Sequence, residues 1–372
     1  MKRLIPRLNI QYTLKDAIIA LKSVFVTISK TDNSCFYFNH ARTGLRIGLS
    51  SLNLPVGSKV GVMVYNCYSV MNAVKLAGLE IEFIDVTDNF CLDLVDFKNK
   101  KDHLSAIIVT HLFGIPTNIE QLKSISPSIA IIEDCAHSFL SESKGKLTGS
   151  MGDMAIFSMG LGKFPSIGSG GYLKVNNERY SAKINEIYSD LPVPSMLSEL
   201  KNIGLSLILN FLHQPIVYNY FTRPILKQKN IELKDDIRYT HKESKILKSS
   251  LGLYISKYDK YSLYLKTQQN YAGKIFKIIK STYPKAYIST GFNINEINCF
   301  MFPLLIENRE QFIDQFAKNG IETGKHFSNS IEWAKKFGYK VGSCKNAEKI
   351  ARQLVVCPCH YNLADKEIVL IN

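Results

Sequence analysis

The sequence has no paired cysteine spacing: eight cysteines lie singly along 372 residues. This argues against a disulfide framework and predicts reduced thiols in a cytosolic protein. Cys357-Pro358-Cys359-His360 lacks the further nearby ligands that a four-coordinate zinc site needs. Long apolar runs are also missing. MKRLIPRLNI is basic, but no apolar stretch follows before Lys15 and Asp16, so no secretory signal is read there. Acidic residues are fewer than basic ones, 32 against 46, for a net charge of +14. The lysines are spread out, apart from a cluster at Lys98, Lys100 and Lys101. Without zinc-finger spacing, an RNP signature or a basic helix running into heptads, the charge does not point to nucleic acid. It suits a phosphate-bearing substrate or an anionic surface better. G-x-S-x-G and H-E-x-x-H are absent, so a hydrolase has nothing to stand on.

What is present is an alternation of helical and strand-like segments from about Cys35 to Asn177. Ala41 to Asn53 is apolar at Leu45, Ile47, Leu49 and Leu52, which predicts an amphipathic helix. Lys59 to Val64 reads as a strand, Ser69 to Ala77 as a helix closed by Gly78, and Ile81 to Val86 as a strand. Ala106 to Val109 and Ala130 to Glu133 are further short apolar strands, separated by a helix-length segment from Asn118. Strands joined by helices imply a mostly parallel sheet with ligands at its carboxyl edge. From about Lys245 the expectation is α+β: a long helix over Ser244 to Ile279, a strand near Cys299 to Ile306, a helix over Arg309 to Asn319 and a closing helix after Ala364. The division expected is a large α/β domain over 1–240 and a small C-terminal α+β domain over 241–372.

An apolar insertion spans about 190–230. Ile203 to Phe221 contains no Lys, Arg, Asp or Glu, yet Asn210, His213, Gln214 and Pro215 break it, so it does not read as a membrane span. A buried helix or subunit contact is one reading. A helix lying in a membrane interface, flanked by Lys201, Arg223, Lys227 and Lys229, is the other.

Chemistry concentrates between positions 131 and 171. Ile131-Ile132-Glu133-Asp134 ends a buried-type strand in an acid, with His137 three residues on. Met154 to Phe157 is a second strand, ending at Ser158. Lys163 follows in an uncharged glycine-rich stretch that leads to Gly170-Gly171. A carboxylate at a strand end can pair with a protonated ring nitrogen. A buried lysine has a depressed pKa and can form a Schiff base. Each residue alone also has a plain structural explanation, as a helix cap, a loop lysine or a core histidine. Their order and spacing set them apart.

Glu133-Asp134-Cys135-Ala136-His137, Gly149-Ser150-Met151-Gly152-Asp153 through Phe157-Ser158, Lys163 and Gly168-Ser169-Gly170-Gly171 together resemble the DegT/DnrJ/EryC1/StrS family of sugar aminotransferases. Nearly the whole chain shares the likeness. The resemblance implies the fold-type I architecture of pyridoxal 5'-phosphate (PLP) enzymes, with Lys163 as the Schiff-base lysine and proton shuttle. It implies Asp134 on the pyridinium nitrogen, His137 beside the ring and Ser158 on the phosphate. Arg42 and Thr43 fall in the family's phosphate loop at a helix N-terminus, a natural anion site. Cys67 falls where many relatives stack an aromatic on the cofactor, with Tyr65 and Tyr68 as substitutes on the substrate side. His326 lies in the family's substrate-side loop, Gly320 to His326. Ser169 replaces a usual glutamate, and the partner subunit's phosphate-binding Asn corresponds to the region of Arg238-Tyr239.

A branch of the family has histidine in place of the lysine and dehydrates its substrate, so Lys163 favours transamination. The implied reaction moves an amino group from a donor such as glutamate to a keto-sugar, nucleotide-linked as in the family, for amino-sugar or surface-polysaccharide biosynthesis. A homodimer with shared active sites is implied. The alternative is an altered relative with a regulatory or membrane-complex role. The expected location is the cytoplasm, with peripheral membrane contact through 203–221 left open.

Overall fold

The computed structural model describes residues 5–8, 10–28, 32–228, 242–283, 286 and 293–363. Eleven strands appear among them: β1 (Cys35–Phe38), β2 (Lys59–Met63), β3 (Glu80–Ile84), β4 (Ala106–Thr110), β5 (Ala130–Asp134), β6 (Glu142–Ser143), β7 (Lys146–Leu147), β8 (Met154–Ser158), β9 (Gly171–Val175), β10 (Met301–Leu305) and β11 (Leu354–Pro358). The helices of the first half are α1 (Leu14–Val24), α2 (Ala41–Ser51), α3 (Tyr68–Leu76), α4 (Leu94–Lys100), α5 (Ile119–Ile125) and α6 (Ser181–Ser189). Those of the second half are α7 (Met196–Leu212), α8 (Pro215–Val217), α9 (Arg223–Gln228), α10 (Lys248–Ser256), α11 (Tyr261–Thr282), α12 (Arg309–Lys318), α13 (Ser330–Lys335) and α14 (Lys345–Gln353).

Seven strands form one sheet in the order β1-β9-β8-β5-β4-β2-β3. β3, β2, β4, β5 and β8 are mutually parallel, while β9 runs antiparallel to both neighbours. This is the mixed, mostly parallel sheet of the expected α/β class. Side chains alternate across it, as strand geometry requires. Ile108 and Ile132 face a core with α2, α3 and α6, whereas Ile107, Val109 and Ile131 face the opposite cluster. That second cluster continues into Ile275, Leu304 and Trp333, so the two-stranded β10–β11 sheet and its helices share a core with the large sheet. The N-terminal segment joins this C-terminal region: Ile5 bridges Ile321, and its N–H donates to the Gly320 carbonyl at 2.8 Å.

The long helix expected over Ser244 to Ile279 is two helices, α10 and α11, with a 3₁₀ turn at Tyr258–Lys260 between them. The chain turns at Lys257, whose ammonium pairs with Asp16 at 2.9 Å. The break lets Tyr254 and Tyr261 pack together and both against Phe139. The 190–230 stretch holds α7 and the short turns after it, with Leu197, Ile208 and Phe211 exposed at 76%, 56% and 61%. No helix among the described residues is long and apolar enough to cross a membrane. The closing helix after Ala364 and the Arg238-Tyr239 region lie outside the described residues.

Candidate active site

Parallel strands carry their C-terminal residues to one edge, and the main crevice opens there. β5 ends at Asp134, β4 at Thr110 in register with it, and β8 at Ser158. The antiparallel β9 contributes its start instead, so Gly168, Ser169 and Gly170 reach the same edge. The cavity, about 350 Å³, is lined by Arg42, Cys67, Asp134, His137, Ser158 and Lys163 among others. Six of the residues named from the sequence thus converge on one space.

Asp134 is buried, and burial raises its carboxyl pKa. Hydrogen bonds from the Ala136 N–H and the Thr110 hydroxyl, both at 3.0 Å, and the nearby Lys163 charge oppose that rise. Thr110 is held in turn by Asn66 Nδ2 at 2.8 Å. Lys163 is the complementary case. Burial lowers its amine pKa, with Cys67 and Asp134 acting in the opposite direction. His137 is kept neutral, its pKa driven well down by burial and then by Lys163 and His326. Its Nδ1 accepts the Phe113 N–H at 3.4 Å, and Phe327 stacks on its ring at 5.5 Å and 15°.

α2 begins at Ala41 after His40, whose side chain makes no capping bond, and Ala41 and Arg42 line the cavity. The first turn of a helix offers backbone N–H groups and a positive dipole to an anion. Gly171 sets this arrangement: a Cβ there would lie 2.6 Å from both Ala41 N and Phe157 O. Only glycine lets the β8–β9 pair come so close to the helix start.

Four of the residues named from the sequence lie outside the lining of the main cavity. Thr43 is buried behind the cavity lining, its hydroxyl donating to Asn39 at 2.9 Å. Tyr65 is fully buried and its hydroxyl donates to the His326 carbonyl, so it braces the loop instead of lining the cavity. Tyr68 packs its ring on Trp333 and Phe337. His326 lies against His137, Phe113 and Phe327 and is not among the residues lining the main cavity. Sequence reasoning missed Thr110, Asn66 and Phe327. Thr110 had a signal, since it ends the apolar strand parallel to the one bearing Asp134; Phe327 directly follows His326.

The donor set fits PLP. A buried strand-end carboxylate suits a ring N–H, a half-buried amine with a lowered pKa suits an aldehyde, and a helix N-terminus with Ser158 suits a phosphate. The family model of the DegT/DnrJ/EryC1/StrS aminotransferase family matches residues 16–210 and 256–371. The chain belongs to that family. It is a PLP-dependent aminotransferase with the family's fold. A UDP-4-amino-4,6-dideoxy-N-acetyl-beta-L-altrosamine transaminase of Campylobacter jejuni is 25% identical over 80% of this chain and 73% of its own. The sugar aminotransferase CalS13 of Micromonospora echinospora superposes with a TM-score of 0.76 at 15% identity, covering 99% of this chain and 98% of that one. An E. coli GDP-4-keto-6-deoxy-D-mannose-3-dehydratase with bound hydrated PLP superposes almost as well, with a TM-score of 0.75 at 16% identity over 100% and 99%. The fold therefore accommodates both aminotransferases and a dehydratase.

His111, Glu133 and Cys135 bring three ligand-type atoms within 4.8 Å of one another. Hydrogen bonds occupy the first two. Glu133 accepts from Gly149, Met151 and Gly152 N–H and from His111 Nε2, and His111 Nδ1 accepts from Thr117. The knot fixes the 149–152 loop behind Asp134.

Proposed function

We propose that this aminotransferase moves an amino group from an amino acid such as glutamate to a nucleotide-linked keto-sugar, in amino-sugar or surface-polysaccharide biosynthesis. The observation that carries it is the pair of half-buried Lys163 and buried Asp134 facing one cavity. A lysine at this position is what separates amino transfer from the dehydrating branch. PLP, when bound, supplies an electron sink for charge developing on the carbon that carries the transferred nitrogen. Asp134 holds the ring nitrogen protonated, with Thr110 and the Ala136 N–H keeping its oxygens in place. Lys163 Nζ, with its pKa depressed, is ready to take up and return the proton at the reacting carbon. Neutral His137 and the stacked Phe327 bound the ring side and exclude water. The N-terminus of α2, Arg42 and Ser158 receive the phosphate. Cys67 occupies the stacking position as a small thiol.

The basic character of the chain suits a diphosphate-linked substrate. α7 packs on the rim of the cavity, where Ser169 donates to Asn202 at 3.1 Å, and other positions of the same helix leave Leu197, Ile208 and Phe211 exposed. That continuity supports a second copy of the chain as its cover, giving a homodimer with shared sites, in preference to a membrane surface. Light scattering and flotation with anionic vesicles separate the two. The division at about 240 between a large and a small domain belongs to the same reading. The functional test is direct. Purified protein with PLP should show a visible band that glutamate converts. Products formed from a panel of keto-sugar nucleotides should gain the mass of an amino group. A protein that stays colourless and inert would favour the regulatory alternative.

A further inference from the structure

Among the described residues, Lys163 alone lines both the main cavity and a small crevice behind it. The polar lining of the crevice is Arg7, Lys163, Gln268 and His360, and the rest is apolar or glycine. It holds only about 10 Å³, the room of a single water. Arg7 comes from the N-terminal segment and crosses the 322–325 loop, where its Nη1 donates to the Lys325 carbonyl at 2.7 Å. Gly324 accommodates the crossing: a Cβ there would fall 2.4 Å from Arg7 Nη1. Gln268 is a buried residue of α11, and its Nε2 donates to the Asn298 carbonyl at 2.6 Å. His360 follows β11 and is 8% exposed.

The chemistry of these four groups limits what can stand between them. Arg7 has only N–H groups to give, and Lys163 has N–H groups in either protonation state. Gln268 offers Oε1 as an acceptor. His360 Nε2 bonds the Pro6 carbonyl at 3.2 Å, and a carbonyl only accepts, so the ring proton sits on Nε2. Burial brings the His360 pKa down to about 4, so Nδ1 keeps its lone pair at neutral pH. That Nδ1 is buried and makes no hydrogen bond within the protein, a costly state for a polar atom. Two donors and two acceptors thus surround one small space. A water molecule has two of each, and a buried water commonly makes about three such bonds. A halide cannot donate to Nδ1 or Oε1, and a metal cation would lie beside Arg7 and Lys163.

We propose that a single buried water fills this crevice and makes His360 a positioning residue for the cofactor lysine. The water donates to His360 Nδ1 and Gln268 Oε1 and accepts N–H groups of Arg7 and Lys163. Whenever Lys163 is not joined to the cofactor, the water takes one Nζ–H. It steadies the amine, leaves the other positions on nitrogen to the main cavity, and hydrates the charged form. His360 stays neutral throughout, so it orients the water without competing for the proton. The inference rests on Lys163 as the residue that bonds PLP and is independent of the sugar acceptor.

The test uses apoprotein of wild type, His360→Leu and His360→Gln, and follows growth of the PLP band across about pH 6 to 10. The water favours the ammonium form of Lys163, and PLP bonds the neutral amine. His360→Leu removes the lone pair that anchors the water, so the pH midpoint of the association rate should fall by about one unit. His360→Gln supplies an acceptor again and should return the midpoint to near its wild-type value. In turnover, His360→Leu should lower kcat and leave KM nearly unchanged. A folded His360→Leu protein with a lowered melting temperature and an unmoved midpoint would overturn the proposal. If that variant does not fold, a high-resolution crystal structure of the wild type decides: one water should bond His360 Nδ1 and reach Lys163 Nζ. A crevice that is dry or holds an ion would overturn it. A wild-type protein in which PLP gives no visible band would instead overturn the role of Lys163.

Discussion

Thr110 Oγ1 donates to Asp134 Oδ2 at 3.0 Å, across two parallel strands whose last residues stand in register. Burial alone raises the Asp134 pKa, and this bond is among those that resist the rise. Thr110→Val keeps the shape and removes the donor. The lost bond to a carboxylate is worth about 1–2 kcal/mol, so PLP should bind about 5- to 30-fold more weakly in a spectrophotometric titration, with little change in melting temperature.

Lys163 has a second, energetic signature. Its folded pKa lies below the ordinary 10.5, so the half-buried charged amine disfavours the fold at neutral pH, and that cost disappears as pH rises above the unfolded value. In the apoprotein, Lys163→Met should therefore melt higher than wild type at neutral pH. Turnover and the visible PLP band should both be lost. Binding of PLP to wild-type apoprotein should accelerate with pH and level off below 10.5, as the amine loses its proton.

Gly171→Ala places a methyl 2.6 Å from two backbone atoms that cannot swing aside, Ala41 N and Phe157 O. The start of α2 must move, which should cost about 3 kcal/mol and weaken phosphate binding. Gly204→Ala is the control, since nothing lies within 4 Å of its added carbon. In mid-helix it should stabilise by about 1 kcal/mol. Thermal melts and PLP titrations of both variants check the pair.

Glu133 acts through structure. Although burial works against its charge, His111 and backbone N–H groups hold its pKa below 4.5. Its contribution to stability is present above that value and is lost as pH falls through the lower folded pKa. Glu133→Gln should cost about 2–4 kcal/mol at neutral pH and flatten the acid side of the stability profile. Melting curves between about pH 3 and pH 7 would read both effects.

Much of the site was legible because its groups lie close in sequence. Asp134, His137, Ser158 and Lys163 fall within thirty positions, at the ends of two strands and in the loops that follow them. Continuous apolar runs, buried on both faces of the sheet, made β4 and β5 readable, and Asn118, which caps α5 with its side chain on Gln121 N–H at 3.0 Å, marked a helix start. The break between α10 and α11 was not legible. No proline or glycine marks Lys257 to Lys260, and the turn is set by Asp16 and Phe139, which approach only in the fold. Tyr65 and Tyr68 were placed by proximity to Cys67. The first packs inward under the 326 loop and the second packs on α13, a choice made by neighbours distant in sequence.

The sequence by itself determined the cofactor chemistry, since a strand-end acid, a strand-end serine and a lysine in a glycine-rich loop are local features whose spacing survives in the folded sheet. The family resemblance, through Lys163, also favoured amino transfer over dehydration. Only tertiary structure decided which groups surround that lysine from the far side. Arg7 and His360 are 353 positions apart, and they meet because the N-terminal segment pairs with residues 320–322 and Pro6 accepts from the His360 ring. Local pattern fixes what each strand end carries; long-range packing fixes which remote side chains face it.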